Sequence, residues 1–511
     1  MPGNAMLTSV FRIFFGGFPA GADPFLKVLI VLNAIVSCVA FIAYFHQHFY
    51  AVCGLFTKAR RYGPAAALHK YAYLICAHDE ERVIGNLIDS IRAQNYPQEL
   101  MQIYVCADHC TDATAQIARE RGAVVLERVS APRGKSYALD EALQQILQDS
   151  ETEKFDAVFL FDADNLLDAE YTAEMNKLFD KGIPVAASYR ASKNAGANWI
   201  AAGSSYMFYR ENALIHHSRS VLGLGTYVSG TGFYVSMDLI RELGGWPYHT
   251  MTEDIEFSVD CAHKKIKIGY NENAVFYDEQ PETMKASCRQ RLRWCRGMHE
   301  CYAKYSLKNW KKTLRAGFSP LKFEMLVHIC PLPVITFVWT FLCVALQAID
   351  VFWIGKGTLA PWFTGSALPA AGLTFLSLYL IAVFNAAIVV IRKHRSIPLP
   401  LGRQILYCLT FPLFMATFLP LSFVALFKKV QWKKVPHTVN ARIEEIAVAS
   451  ARRGRRRRPD RAEKKSAKRL RAFPPARKSG QRRRPGYALL AVQAVSDPNS
   501  TPVGTANPRR T

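Results

Sequence analysis

Four long apolar stretches punctuate the chain: Phe25–Phe45, Met325–Ile349, Leu368–Ile391 and Ile405–Phe427. Each is near the roughly 20 residues a helix needs to cross a bilayer core. Their one charged residue, Lys27, lies near an end from which its amine reaches the interface. All four are therefore read as membrane helices. The first is read as a retained anchor, because no small-residue cleavage site follows it and Phe56–Arg61 has the character of a stop-transfer flank. Between the first and second stretches the pattern changes. Short β-rich runs at Tyr71–Cys76, Ile103–Ala107, Ala123–Glu127 and Ala157–Phe161 alternate with helical patterns at Glu80–Gln94, Thr111–Arg121 and Ser136–Leu147. That alternation predicts an α/β domain built on a mostly parallel sheet with helices on both faces. Ligands of such sheets bind at the carboxyl ends of the strands.

Charge divides the chain further. The whole chain of 511 residues holds 64 Lys and Arg against 41 Asp and Glu, but Lys428–Thr511 alone holds 24 against 5. The remainder is nearly balanced, which argues against a basic nucleic-acid-binding domain, so no specific nucleic acid partner is expected. Arg452–Arg484 is basic, Pro-bearing and poor in aromatics, the composition of a disordered tail with an attraction for anionic lipid. The expected organisation is 1–57 as N-terminal segment and anchor, 58–322 as the domain, 323–432 as transmembrane or re-entrant helices, and 433–511 as a basic tail. Basic residues flank the domain on both sides (Lys58, Arg60 and Arg61; Lys304 to Lys322), so the positive-inside rule places it in the cytoplasm of a multi-pass cell-membrane protein. Three crossings after the domain would put Lys428, Lys429, Lys433 and Lys434 on the wrong side. One C-terminal stretch is therefore expected to be re-entrant or interfacial. The 12 cysteines include no C-x-x-C pair and read as free thiols in a reducing compartment.

Polar residues with chemical potential gather at the predicted strand ends. Ala77-His78-Asp79-Glu80-Glu81 follows the first strand, Asp108 the second, and Asp162-Ala163-Asp164-Asn165 the fourth. Two carboxylates on one dry turn repel each other unless a cation neutralises them. Mg2+ or Mn2+ takes such carboxylates together with substrate phosphates; a solvated turn is the plain alternative. Thr252-Glu253-Asp254 opens an amphipathic stretch, where Thr252 could cap a helix and the acids could complement its dipole. Gln290, Arg293 and Trp294 share one helical face by i, i+3, i+4 spacing. Arg suits a diphosphate and Trp a sugar ring, while a basic helix lying on the membrane surface would show the same residues.

Taken in order, the lone Asp, D-x-D, T-E-D and Q-x-x-R-W elements resemble the membrane-integrated family 2 glycosyltransferases of GT-A fold, the group containing cellulose, chitin and hyaluronan synthases. The resemblance covers about Lys70 to Tyr305 plus the flanking spans. It implies that Asp108 helps to hold uridine, that Asp162 and Asp164 bind nucleotide and metal, and that Asp254 is the catalytic base. Ala77, His78, Glu80 and Lys135 are the other expected nucleotide-sugar contacts. Glu253, Gln290, Arg293 and Trp294 are expected around the acceptor and diphosphate. Arg133-Gly134-Lys135 resembles the family's basic glycine loop, and Ser229-Gly230-Thr231-Gly232 its acceptor-side glycine segment. Asp79 and Ser136 stand where Asn and Gly are more usual. The implied activity is inverting β-transfer from a UDP-sugar to a growing polysaccharide at the membrane, since one base without a nucleophilic carboxylate favours inversion. A single-addition glycolipid synthase with a lipid acceptor is the second expectation, and a membrane scaffold with a degenerate nucleotide-sugar fold the non-enzyme alternative.

Overall fold

The computed structural model describes residues 24–315, 319–349, 352–353, 368–430, 437 and 439–446. The basic stretch Arg452–Arg484 lies outside them.

Helix α1 (Pro24–Phe56) precedes eight strands. They are β1 (Tyr71–Ala77), β2 (Met101–Asp108), β3 (Val124–Arg128), β4 (Ala157–Asp162), β5 (Leu166–Leu167), β6 (Val185–Ser192), β7 (Phe233–Ser236) and β8 (Ile268–Asp278), in the order β3-β2-β1-β4-β7-β6-β8-β5. β1 pairs in parallel with both β2 and β4, and β2 with β3, while β7 runs antiparallel between β4 and β6. The sheet is mixed and mostly parallel, as the sequence led us to expect.

The apolar runs of β1 and β4 lack alternation because both sheet faces are covered. Ala72 and Leu74 enter one core cluster with helix α2 (Lys135–Glu153); Tyr71, Tyr73 and Ile75 enter the other. Strand order reverses at β1, so a crevice opens beyond the carboxyl ends of β1, β2 and β4. Register aligns those ends: Ala77 lies opposite Ala107, and Cys76 opposite both Cys106 and Asp162.

The start of one helix and the cap of another differ from expectation. The helix expected from Glu80 begins at Ile84. Asp79 adopts φ 54°, the Glu80 N–H donates to Thr114 Oγ1 at 2.7 Å and the Glu81 N–H to Asp112 at 3.1 Å, so the first residues form a turn docked on the loop after β2. Thr252 sits at the N-cap position of α3 (Glu253–Lys264), but its side chain makes no capping bond.

After α4 (Met284–Arg315) come α5 (Pro320–Ile329), α6 (Leu332–Ile349), α7 (Leu368–Lys393), α8 (Leu401–Ala416) and α9 (Phe418–Phe427). Among the described residues, three helical segments are long and apolar enough to cross a membrane: Val31–Phe56, Phe375–Lys393 and Leu401–Phe427. The stretch expected as one helix over Met325–Ile349 is broken. The pair Pro320–Ile329 and Val334–Cys343 bends by 54°. Pro331 lacks an N–H and disfavours helical backbone at Cys330 before it.

Ion pairs tie the domain to these helices. Glu324 of α5 accepts from Arg219 Nε at 2.8 Å and from the Tyr50 hydroxyl of α1, with both charges buried. Glu324→Ala leaves the Arg219 guanidinium buried without its carboxylate and should cost about 3–5 kcal/mol. Thermal unfolding of the detergent-solubilised chain reads this directly; an unchanged midpoint would show that Arg219 finds another acceptor. All 12 cysteines are free thiols, as expected.

Candidate active site

The crevice at the strand ends is a cavity of about 260 Å³. Ala77, His78, Glu80, Asp108, Lys135, Asp162, Asp164, Gln290 and Arg293 all line it, so the expected nucleotide residues are brought together. Asp108 is the most heavily engaged of them. Its carboxylate accepts from Arg128 Nη1 at 2.7 Å, contacts His109 Nδ1 at 2.7 Å and accepts the Gly134 N–H at 3.3 Å. Asp108 thereby holds the basic glycine loop in place as well as facing the cavity.

Asp162 ends β4, and its N–H donates to Thr231 Oγ1 at 2.9 Å, which fixes the D-x-D turn to the Ser229–Gly232 segment. Lys135 Nζ donates to Asp162 and, at 2.7 Å, to the Gly230 carbonyl. It also stands 4.0 Å from Glu253. Burial works against the Lys135 charge, but the Asp162 and Glu253 carboxylates outweigh it and raise the pKa. Asp164 is buried and accepts the Glu279 N–H at 3.2 Å.

A second cavity of about 780 Å³ shares the wall formed by Gly134, Lys135, Asp162, Arg190, Gln290 and Arg293, and contains Glu253, Asp254 and Trp294. Gly297 makes this arrangement possible. A Cβ there would lie 2.5 Å from Thr252 Oγ1, so only glycine lets the T-E-D turn press on α4, one helical turn beyond Arg293. The buried Glu256 locks the contact by accepting from Lys304 and, at 3.2 Å, from the Tyr305 hydroxyl. Glu253 and Asp254 lie in the first turn of α3, where the helix dipole favours anions. Burial dominates nonetheless: it raises Asp254 and, despite the opposing Lys135 charge, pushes Glu253 up to about 7.

Three contributors were not singled out from the sequence. Arg190 grips Asp278 through Nε at 2.8 Å and Nη2 at 2.6 Å, with Nη1 on the Ser229 carbonyl at 3.1 Å, and its guanidinium lies 3.8 Å from the Phe208 ring centroid. Burial, eased by Arg190 and reinforced by Asp164, pushes Asp278 up to about 6. His437, in the part of the chain expected to be tail, lies in the first cavity, 3.7 Å from Asp164 and Glu279 and 3.5 Å from Glu80. Burial disfavours its charge, but those carboxylates overcome it and raise its pKa to about 9. Glu279 accepts the Val439 N–H at 3.2 Å, so the segment is tied down beside the histidine. Bulk positive charge was the only sequence signal there, and it pointed to lipid.

Residues 69–297 match the family model described as glycosyltransferase like family 2. A probable glycosyltransferase of Bacillus subtilis, YdaM, is 26% identical over 267 residues, covering 48% of this chain and 59% of that protein. A beta-monoglucosyldiacylglycerol synthase of Synechocystis is 26% identical over 273 residues, covering 51% and 55%. A poly-beta-1,6-N-acetyl-D-glucosamine synthase of Staphylococcus epidermidis is 22% identical over 353 residues, covering 64% and 83%. The chain thus spans little more than half the length of the first two. Among solved structures, a mannosyltransferase of Pyrobaculum calidifontis in complex with GDP-Man and Mn2+ superposes with a TM-score of 0.47 at 17% identity, covering 78% of this chain and 99% of that one.

Proposed function

We propose that the family 2 glycosyltransferase domain at residues 69–297 moves a sugar from a UDP-sugar to a hydroxyl acceptor at the membrane, with inversion at the anomeric carbon. One observation carries the reading: the D-x-D cavity and the T-E-D cavity meet at a common wall. A donor diphosphate on one side and an acceptor hydroxyl on the other then approach each other at that wall.

In this reading the acceptor oxygen attacks the anomeric carbon, its proton passes to Asp254, and the bond to the diphosphate breaks with the electron pair leaving on UDP. Lys135 and Arg293 face the departing charge. Asp162 and Asp164 would hold Mg2+ or Mn2+. The hard oxygen donors of half-exposed Asp162 and buried Asp164 on one turn, together with Glu279 and Asp278 nearby, form a concentration of carboxylates that suits such an ion. A bound ion would supply electrostatic stabilisation of the diphosphate. The experiment is incubation of membranes carrying the chain with radiolabelled UDP-sugars, followed by product sizing. Label in polymer or glycolipid supports transfer, and release of no UDP under any condition would sink it.

A raised carboxyl stays protonated further up the pH scale, and a protonated base cannot accept the acceptor proton. With burial raising Asp254, turnover should climb with pH on the acid side, later than for an ordinary carboxylate, and then level off. On the acid limb it should fall about tenfold per pH unit. A profile flat between pH 5 and 8 in saturating donor would remove the T-E-D acids from the proton transfer.

Position in the membrane follows from the same contacts. His437, beyond the last apolar helix, lies within 3.7 Å of the domain's Glu80 and Asp164, and in our reading both ends of the α5–α9 region share one side, with an even number of crossings between them. This supports Phe375–Lys393 and Leu401–Phe427 as crossings, with the bent α5–α6 pair re-entering. The basic flanks favour the cytoplasm for that side.

A further inference from the structure

The T-E-D cavity does not end at the domain. Beyond Trp294 its walls pass to α7, α8 and α9, where Phe375, Leu378, Ala382, Leu413, Ala416 and Leu419 line it. Phe375 is 64% exposed, Leu378 62% and Leu413 53%, and all belong to helices long and apolar enough to cross a bilayer. The cavity therefore runs from the buried Glu253 and half-buried Asp254 to exposed faces of helices long and apolar enough to cross a bilayer. Its character changes along the way, with charged and hydrogen-bonding groups gathered at the inner end and aliphatic side chains dominating the outer one.

We infer that the acceptor is an amphiphilic lipid, entering sideways between α7 and α8, with its alkyl chain in the outer groove and its headgroup hydroxyl beside Asp254. The inference rests on the transfer reading above and adds the acceptor's class to it. A sugar chain threaded through the outer groove would strip water from hydroxyls at a cost of several kcal/mol each without a partner to replace it. An alkyl chain has nothing to lose there and gains burial. The lipid oxygen bonds to the anomeric carbon, its proton goes to Asp254, and UDP leaves from the same carbon, so the product is a glycolipid plus UDP.

The test uses the full chain in nanodiscs with radiolabelled UDP-glucose and, in parallel, UDP-N-acetylglucosamine. Acceptors are butyl, octyl and dodecyl glucosides, diacylglycerol, and a water-soluble tetrasaccharide. The expected result is label partitioning into organic solvent, with kcat/KM for the alkyl series rising on the order of threefold per added methylene until the groove is filled. Ala416→Trp should raise KM for dodecyl glucoside at least tenfold while moving butyl glucoside far less. Loss of both would signal misfolding, and the smaller change Ala382→Leu then supplies the same comparison. Equal rates along the alkyl series, or label confined to the tetrasaccharide or to lipid-free polymer, would overturn the lipid acceptor and leave transfer standing. UDP release without a labelled acceptor in any arm overturns it as well. No UDP release at all overturns the transfer reading itself.

Discussion

Asp254→Asn should lower turnover by about 10²–10⁴, the usual worth of a positioned base, while leaving UDP affinity nearly intact. The asparagine keeps the size of the side chain and the first-turn position in α3, so the fold has no reason to change. What disappears is the proton acceptor. Asp254 lines the T-E-D cavity and is absent from the wall of the D-x-D cavity, which is why binding and chemistry should separate. Removing one of two coupled acids also lightens the repulsion on Glu253, so any residual rate should have an acid limb displaced to lower pH. Isothermal titration with UDP and single-turnover transfer give the two numbers. Turnover within a factor of two of wild type would reduce Asp254 to an acid that merely complements the helix dipole.

Asp162→Ala and Asp164→Ala should each abolish transfer, and Asp164→Ala should also remove the dependence of nucleotide binding on divalent ions. The two carboxylates play unequal parts. Asp162 is shared with Lys135, which can follow the negative charge of a diphosphate, whereas buried Asp164 has main-chain and amide donors and His437 around it. Losing Asp162 also releases Lys135 toward Glu253, 4.0 Å away, adding a cation beside the proposed base. Transfer in excess EDTA at the untreated rate, with UDP-sugar affinity unmoved, would show that no ion is needed.

How much of this was legible beforehand follows from where each interaction is encoded. The β1, β2 and β4 runs are buried on both faces and so read as continuous apolar segments, and their last residues announce the crevice. Asp108, Asp162, Asp164, Glu253 and Asp254 were legible because short-range pattern placed them at element ends. Arg190 and Asp278 were not. They sit on neighbouring strands 88 residues apart, and each alone is an ordinary charge at the end of an apolar run. His437 was hidden more deeply, since nothing near it in sequence separates a docked segment from the basic stretch that follows. The break between α5 and α6 was half visible: Pro331 marked it, but a count of apolar residues joined the halves.

The wall common to the two cavities also couples what happens in one to the charge met in the other. Lys135, Arg190 and Arg293 face both sides, so an anion arriving in the smaller cavity alters the charge that the second substrate meets. Until a diphosphate is in place, the Lys135 ammonium is committed to Asp162 and the Gly230 carbonyl, and Gly230 itself is close enough to Asp254 that a Cβ there would stand 3.8 Å from Oδ2. Donor arrival and acceptor readiness are thus two readings of one cation's position. On the transfer reading the nucleotide sugar is expected to bind first, with loss of the activated sugar to water as the expected side reaction whenever the second substrate is late.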